Sequence, residues 1–83
     1  MDMYYVITFQ NTHSAISGEN ILKNSNIKVQ IMPTPTIITK SCGISIRICN
    51  ESIEEVKNLV KKGKLDIKNI YAKDSTGYNI YSI

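Results

Sequence analysis

The hydrophobic periodicity of this chain changes from strand-like to helix-like and back twice, and this order limits the folds open to it. Residues 3–9 are β-branched and aromatic on both parities, which is typical of a central strand. Residues 27–32 and 44–49 alternate apolar with polar side chains, as half-buried strands do. A fourth strand is predicted over residues 67–72. A fifth is predicted over residues 78–83, after the turn signal of residues 74–77.

Two segments between these strands carry apolar residues at helical spacing. The first runs from His13 to Asn24, with Asn11 or Thr12 as its N-cap. The second opens at Asn50 or Ser52, where Ser52 and Glu55 have capping-box spacing, and Gly63 closes it as a left-handed C-cap. The predicted inward stripes are Ala15, Gly18, Ile21 and Leu22 in the first helix and Ile53, Val56, Leu59 and Val60 in the second.

The element order β-α-β-β-α-β predicts an α+β fold of the ferredoxin-like type. Two helices then lie on one face of an antiparallel sheet. We assign residues 1–73 to this domain and residues 74–83 to a C-terminal hairpin arm that supplies an edge strand. The 83 residues suffice for one domain with a thin core, because a chain of this size buries roughly 63% of its unfolded surface.

Composition excludes several other classes of protein. The chain is 42% hydrophobic and 20% charged, within the ordinary globular range, and no apolar run approaches the roughly 20 residues of a membrane span. The first basic residue is Lys23, so the positive segment of a secretory signal is missing. We therefore expect a cytoplasmic location and no membrane association.

The cysteine count excludes a disulfide scaffold and a metal site. Cys42 and Cys49 flank a predicted strand, which separates their Cα atoms by on the order of 20 Å, whereas a disulfide tolerates about 7 Å. One histidine and two separated cysteines do not supply the ligands that zinc needs. No metal and no cofactor are expected.

The net charge of +3 is concentrated in one region. Between residues 56 and 73, six lysines face a single acidic residue, Asp66. The simplest interpretation is a solvated helix end, where lysines suit the negative end of the helix dipole. Binding of an anionic partner or of nucleic acid through this cluster is the less favoured alternative, and none of the five tyrosines lies in an RNA-recognition strand motif.

The predicted topology gathers a candidate site at one end of the molecule. Pro33 and Pro35 predict an extended, unpaired loop over residues 33–41 instead of a tight turn. In the predicted fold this loop meets the start of the first helix and the lysine-rich turn after the second. Positive charge and a helix N-terminus favour the thiolate of a cysteine, so Cys42 is the candidate nucleophile. The candidate binding residues are Thr12, His13, Ser41, Gly43 and Arg47.

Each of these residues has a simpler alternative. Cys42 could be a small buried hydrophobic residue, and Cys49 is expected to be structural. His13 could serve as a base for Cys42, bind an anion, or merely cap the helix. Gly43 is interpreted as allowing an unusual backbone conformation and close approach of a ligand. Arg47 should point to the sheet face away from the helices, where it could pair with a carboxylate, contact a second copy or reach a ligand.

The chain resembles a small family of bacterial proteins described as putative Se/S carrier protein-like. The resemblance covers roughly residues 4–72, and the most specific element is the Pro-x-Pro loop followed by Ser-Cys-Gly and an Arg four residues later. The family often has an Arg directly after the second proline, where this chain has Thr36, so anion binding would fall to Arg47 or Lys40. The matching residues are Tyr5 to Phe9, Thr12 to Ala15, Glu19, Pro33 to Pro35, Ser41 to Gly43 and Arg47.

The resemblance implies a carrier in which Cys42 holds sulfur or selenium as a persulfide or selenopersulfide. A cysteine desulfurase or another sulfur or selenium donor protein would then be the partner, and a homodimer is open. The competing hypothesis is a ligand-sensing or protein-interaction module in which Cys42 is structural. Thiol reactivity separates the two hypotheses.

Overall fold

The computed structural model describes residues 3–38 and 43–81. Its elements follow the predicted order, with boundaries that differ by a few residues. A short 3-10 turn, Asn50–Ser52, precedes the second helix. The elements are β1 (Tyr4–Thr8), α1 (Thr12–Asn24), β2 (Val29–Pro33), β3 (Ile44–Cys49), α2 (Ile53–Lys61), β4 (Asn69–Asp74) and β5 (Gly77–Ile80).

The five strands form one antiparallel sheet in the order β2-β3-β1-β4-β5. β1 is central, and Tyr4 lies opposite Cys49 of β3 on one side and Lys73 of β4 on the other. The predicted α+β class, with two helices and an antiparallel sheet, is confirmed. The predicted adjacency of the first and third strands is also confirmed.

Alternation along the strands divides the sheet into two faces. Tyr5, Ile7 and Phe9 belong to one hydrophobic cluster with neighbours on β3 and β4 and with both helices. The helices contribute Ala15, Leu22, Ile53 and Val56 to this cluster, as their predicted stripes require. Both helices therefore pack on the same face, and the face that carries Tyr4, Val6 and Thr8 has no helix over it.

Helix α1 begins where the sequence predicted, with Asn11 as its N-cap. The backbone of Asn11 is extended and its side chain accepts a hydrogen bond from the Ser14 amide at 2.8 Å. The helix lies close to the sheet at Gly18, where an added Cβ would be 2.7 Å from Cε2 of Phe9. A small residue is thus required at this helix position by the buried ring beneath it.

At helix α2 the predicted N-terminal capping box is wrong and the predicted C-cap is confirmed. Ser52 has helical backbone angles and makes no capping bond through its side chain, so the predicted capping box with Glu55 is wrong. The preceding 3-10 turn is the reason, because a cap residue needs an extended backbone to reach the first amides. At the other end Gly63 has φ +75°, and the Lys64 amide bonds to the Leu59 carbonyl, which confirms the left-handed C-cap.

The proline loop is less extended than predicted. Pro33 is the last residue of the edge strand β2, and the Ile38 amide donates to the Pro35 carbonyl at 3.0 Å, which closes a turn. The expectation of a loop without a tight turn is therefore wrong over residues 35–38. The Thr34 amide also donates to the carbonyl of Gly43 at 3.3 Å, so the loop leaves and rejoins the sheet through paired residues.

The C-terminal arm forms the predicted edge strand. β5 pairs with β4 through a turn in which Asp74 accepts from the Thr76 amide and hydroxyl. The ring of Tyr81 then meets the ring of Tyr5 edge-on, with the centroids 5.0 Å apart. Residues 82 and 83 of the predicted strand lie outside the described residues. Neither described helix has the length and apolar character needed to cross a membrane.

Candidate functional site

The candidate site lies at the end of the sheet where β1 and β2 finish and β3 and β4 begin. Ser41 and Cys42 fall outside the described residues, and so does Lys40. The next described residue is Gly43, which is exposed. Its carbonyl accepts a hydrogen bond from the Thr34 amide. The buried hydroxyls of Thr34 and Ser45 meet just inside this point, 2.6 Å apart.

Thr12 and His13 are both exposed in the first turn of α1. A cavity of about 220 Å³ opens beside them and is lined by His13, Ser14, Ser17, Gly18, Ile21, Lys64 and Asp66. The start of α1 and the turn after α2 thus share one cavity, as the topology predicted. Lys64 supplies a cation and Asp66 a carboxylate, so the cavity is polar at its rim.

Gly43 does not have the unusual conformation that the sequence suggested. Its φ is outside the left-handed region, and a Cβ built on it meets no atom within 4 Å. Neither backbone strain nor packing within the described residues therefore requires glycine here. Of the two roles predicted for Gly43, the structure is compatible with the second, which is to leave room for a ligand to approach.

Arg47 points to the helix-free face, as predicted, and its guanidinium lies over the ring of Tyr4. The Cζ atom is 3.9 Å from the ring centroid, which is within cation–π range. Arg47 is four residues from Gly43 along β3, a distance of about 13 Å at the usual strand rise. The structure thus brings Arg47 together with Tyr4 and not with the helix N-terminus.

Cys49 is a free, exposed cysteine at the far end of β3. It lines a second cavity of about 200 Å³ between β2 and the end of β3, together with Lys28, Val29, Gln30, Arg47 and Ile48. The sequence favoured a structural role for Cys49 because it lies at a strand end, away from the helix N-terminus and the lysines expected near Cys42; the structure places it at that strand end, exposed. Cys49 is accessible to thiol reagents.

Three tyrosines form a surface that the sequence analysis missed. Tyr4, Tyr71 and Tyr78 occupy neighbouring strands on the helix-free face, together with Arg47 and Lys73, and we call these five residues the tyrosine face. The ammonium of Lys73 is 5.3 Å from the ring centroid of Tyr78. A side-chain hydrogen bond with Tyr4, and then burial, raise the pKa of Tyr78. The sequence carried one signal for this surface, the position of each tyrosine in its strand, because alternate strand residues point to opposite faces of the sheet.

The described part of the chain contains no cluster of three or more His, Cys, Asp or Glu side chains placed to hold a metal ion. The functional groups that the described residues offer are cations, hydroxyls, aromatic rings and the thiol of Cys49. The thiol of Cys42 belongs to the segment between Ile38 and Gly43.

Comparison with known proteins identifies the family. A search of the curated proteins and of the solved structures finds no significant match. The family model described as Putative Se/S carrier protein-like matches residues 4–72, which include all the elements from β1 to α2 and most of β4. Since the match spans far more than half of the chain, this protein belongs to the Putative Se/S carrier protein-like family.

Proposed function

We propose that this protein carries sulfur or selenium on the Sγ atom of Cys42. The observation that carries the proposal is the family match, which runs through the Ser41-Cys42-Gly43 sequence. Cys49, the other thiol, also lies within the matched range but at the opposite end of β3. The Pro-x-Pro loop leads to Cys42 alone, and for this reason we assign the cargo to it.

The residues on either side of Cys42 suit a thiol that must meet two partner proteins in turn. Gly43 is exposed and presents open space, while Ile37 before the segment is 79% exposed. Behind them the Thr34–Ser45 hydroxyl pair and the Thr34–Gly43 backbone bond anchor the loop to the sheet. An anchored base with an accessible tip would present a cargo atom without unfolding the domain.

Transfer would proceed by thiol chemistry alone. The thiolate of Cys42 attacks the terminal sulfur of a persulfide on the donor, a new S–S bond forms, and the donor's S–S bond breaks. The donor cysteine leaves as a thiolate, so no external oxidant or reductant is consumed. The product is a persulfide anion on Cys42, and the second transfer repeats the exchange toward an acceptor.

The candidate binding residues take supporting roles in this proposal. The positive end of α1, at Thr12 and His13, would stabilise an anionic cargo by a few tenths up to about 2 kcal/mol. Lys64 shares the cavity of His13 and adds a cation. Ser41 and Gly43 would hold the backbone around the thiol. Arg47, which lies over Tyr4, would contact a partner protein more readily than the cargo.

We further infer a ferredoxin-like arrangement extended by β5. β3 lies between β1 and β2, and β1 lies between β3 and β4, which is the interleaving of two βαβ units.

A cysteine desulfurase or another sulfur or selenium donor protein is the proposed partner. A reducing cytoplasmic compartment is the proposed setting, since it keeps the thiol available.

The test is direct transfer in a protein that lacks the second thiol. A Cys49→Ser variant, mixed with a cysteine desulfurase, cysteine and pyridoxal phosphate, should gain about 32 Da, the mass of one sulfur, on the peptide that contains Cys42. A selenium donor should give about 79 Da at the same position. The matched control is Cys42→Ser with Cys49 intact.

Two results would contradict the proposal. One is transfer to the Cys42→Ser control at the same rate, which would assign the chemistry to the exposed Cys49. The other is no transfer from any donor although Cys42 alkylates freely, which would favour the sensing or interaction module. Alkylation rates of the two single-cysteine variants, measured before transfer, show that each thiol is accessible.

A further inference from the structure

We propose that the tyrosine face is a binding surface for single-stranded nucleic acid. This inference goes beyond the carrier function: it rests on the helix-free side of the sheet, shares only Arg47 with the candidate site, and uses none of the residues between Ile38 and Gly43. Its basis is the combination of three aromatic rings with cations on one uncovered surface.

The rings are arranged as neighbours. Tyr4 of β1 lies directly opposite Lys73 of β4, and Lys73 lies directly opposite Tyr78 of β5, so these three side chains form one row across the sheet. Tyr71 stands in the next row, diagonal to Tyr4 and opposite Ile80. Diagonal neighbours across strands are about 7 to 8 Å apart. Each base of a single strand can stack on an aromatic ring or on an arginine plane. Arg47 already covers one side of the Tyr4 ring, so a base would stack on the outer side of that guanidinium or on the rings of Tyr71 and Tyr78.

The charge of the surface complements a phosphate backbone. Arg47 and Lys73 are on this side of the sheet, Lys28 precedes β2 beside it, and the described strand positions on this face include no Asp or Glu. Arg47 and Lys28 also line the cavity of about 200 Å³ beside Cys49, which gives a concave site next to the rings. An anionic polymer with exposed aromatic bases matches both features.

The surface is open because of how the chain covers the sheet. Both helices pack on the opposite face, and the proline loop anchors over Ser45, at the far end of β3 from the tyrosines. Ser45 is 0% exposed, whereas Tyr4, Tyr71 and Tyr78 are half-buried and Ile80, opposite Tyr71, is 67% exposed. Thr34 therefore covers the Ser45 end of the helix-free face, and part of the tyrosine surface stays accessible.

The sequence had pointed to a different surface for nucleic acid. Its lysine cluster follows α2, where Lys61 and Lys62 are exposed at the end of that helix. Two lysines of that cluster do lie near rings, Lys57 over Tyr81 and Lys73 over Tyr78, and Lys73 belongs to the tyrosine face. Lys61 and Lys62 offer charge alone, so they would bind a duplex as readily as a single strand. The tyrosine face should prefer the single strand, because the bases of a duplex are already stacked and cannot reach the rings.

The experiment measures binding of a fluorescent oligouridine by anisotropy, in low salt and in increasing salt. The unchanged protein should bind with a salt slope of about −2, as three phosphate contacts require. Tyr71→Leu should weaken binding about 5- to 150-fold, the range for loss of one stacked base. The double variant Arg47→Gln/Lys73→Gln should bind more weakly still and with a shallower slope. Its matched control is Lys61→Gln/Lys62→Gln, with the same change in charge on another surface.

Three outcomes would overturn the proposal: no binding of oligouridine in low salt, equal weakening by the control pair, or equal affinity for a duplex of the same length. If a second copy of this chain covers the face, sedimentation will show a dimer that Arg47→Gln/Lys73→Gln dissociates, and the strand will not bind. Circular dichroism melting of each variant confirms that it is folded. The two charge variants decide the question should Tyr71→Leu be destabilised.

Discussion

The hydroxyl oxygens of Thr34 and Ser45 lie 2.6 Å apart in a buried position, and this contact joins the start of the proline loop to the beginning of strand β3. Thr34 is 8% exposed and Ser45 0% exposed, so water does not replace either partner. The loop that leads to Cys42 is thereby tied to the sheet by a side-chain bond as well as by the backbone bond of Thr34 to Gly43.

Ser45→Ala should destabilise the protein by about 1 to 3 kcal/mol, because it leaves the buried Thr34 hydroxyl without its partner. The double variant Thr34→Val/Ser45→Ala removes both hydroxyls and should recover part of that loss. Urea unfolding of the three proteins measures the difference. A Ser45→Ala protein as stable as the unchanged one would show that the pair contributes nothing.

Gly18→Ala should also destabilise the protein, although alanine favours a helix by about 1 kcal/mol over glycine. The added methyl would lie 2.7 and 2.9 Å from two ring atoms of Phe9, which is fully buried. Overpacking of this kind costs about 1 to 3 kcal/mol. Thermal melting checks the sign, and Gly18→Ala/Phe9→Leu, which makes room for the methyl, should be less destabilised than the sum of its parts. A raised melting temperature for Gly18→Ala alone would mean that the helix can shift away from the ring.

Ending the chain at Lys73 should lower stability, because it removes β5 and the Tyr81 ring that covers Tyr5. An edge-to-face aromatic pair contributes about 0.5 to 1.5 kcal/mol beyond its buried area. Tyr81→Leu, which keeps the strand and removes the ring, separates the two contributions. The measurement is the free energy of unfolding in urea, and truncation without any change would show that the arm is dispensable.

The turn before β5 should weaken in acid. Hydrogen bonds from the Thr76 hydroxyl and amide lower the pKa of Asp74 below its ordinary value of 3.8. A lowered carboxyl pKa stabilises the folded state above 3.8 and loses that contribution as the pH falls through the folded pKa. Asp74→Asn should therefore lower the melting temperature at neutral pH and make no difference in strong acid. A constant difference across this range would contradict the assignment.

The sequence predicted the elements well because their apolar spacing is strong and their order leaves few arrangements. Ile44, Ile46 and Ile48 define β3 by alternation, and the boundaries of that strand were predicted to the residue. Gly63 was also correctly placed, since a left-handed residue after a helix is a local requirement. These features depend on near neighbours in the chain.

The errors arose where residue type and spacing alone do not decide the structure. Ser52 did not cap α2, because a 3-10 turn at Asn50–Ser52 set its backbone first. The tyrosine face could not be foreseen from composition, since Tyr4 and Tyr78 meet only through the register of three strands. The strand-end position of Cys49 was predicted, but its exposure was not, because exposure depends on which elements pack around that end of β3.

The central position of β1 has a consequence for how the protein is made. Both edges of β1 pair with strands that are synthesised much later, so the nascent chain carries this strand without a partner until β3 is complete at residue 49, and with one edge unpaired until β4 is complete at residue 74. The strand reads Tyr-Tyr-Val-Ile-Thr, uncharged and β-prone, which is the composition of segments that associate between chains. Sheets built from such distant pairings fold slowly. We therefore expect translation to release an unprotected strand, and chaperone supply or growth temperature to set the yield of soluble protein more strongly than the stability of the finished fold.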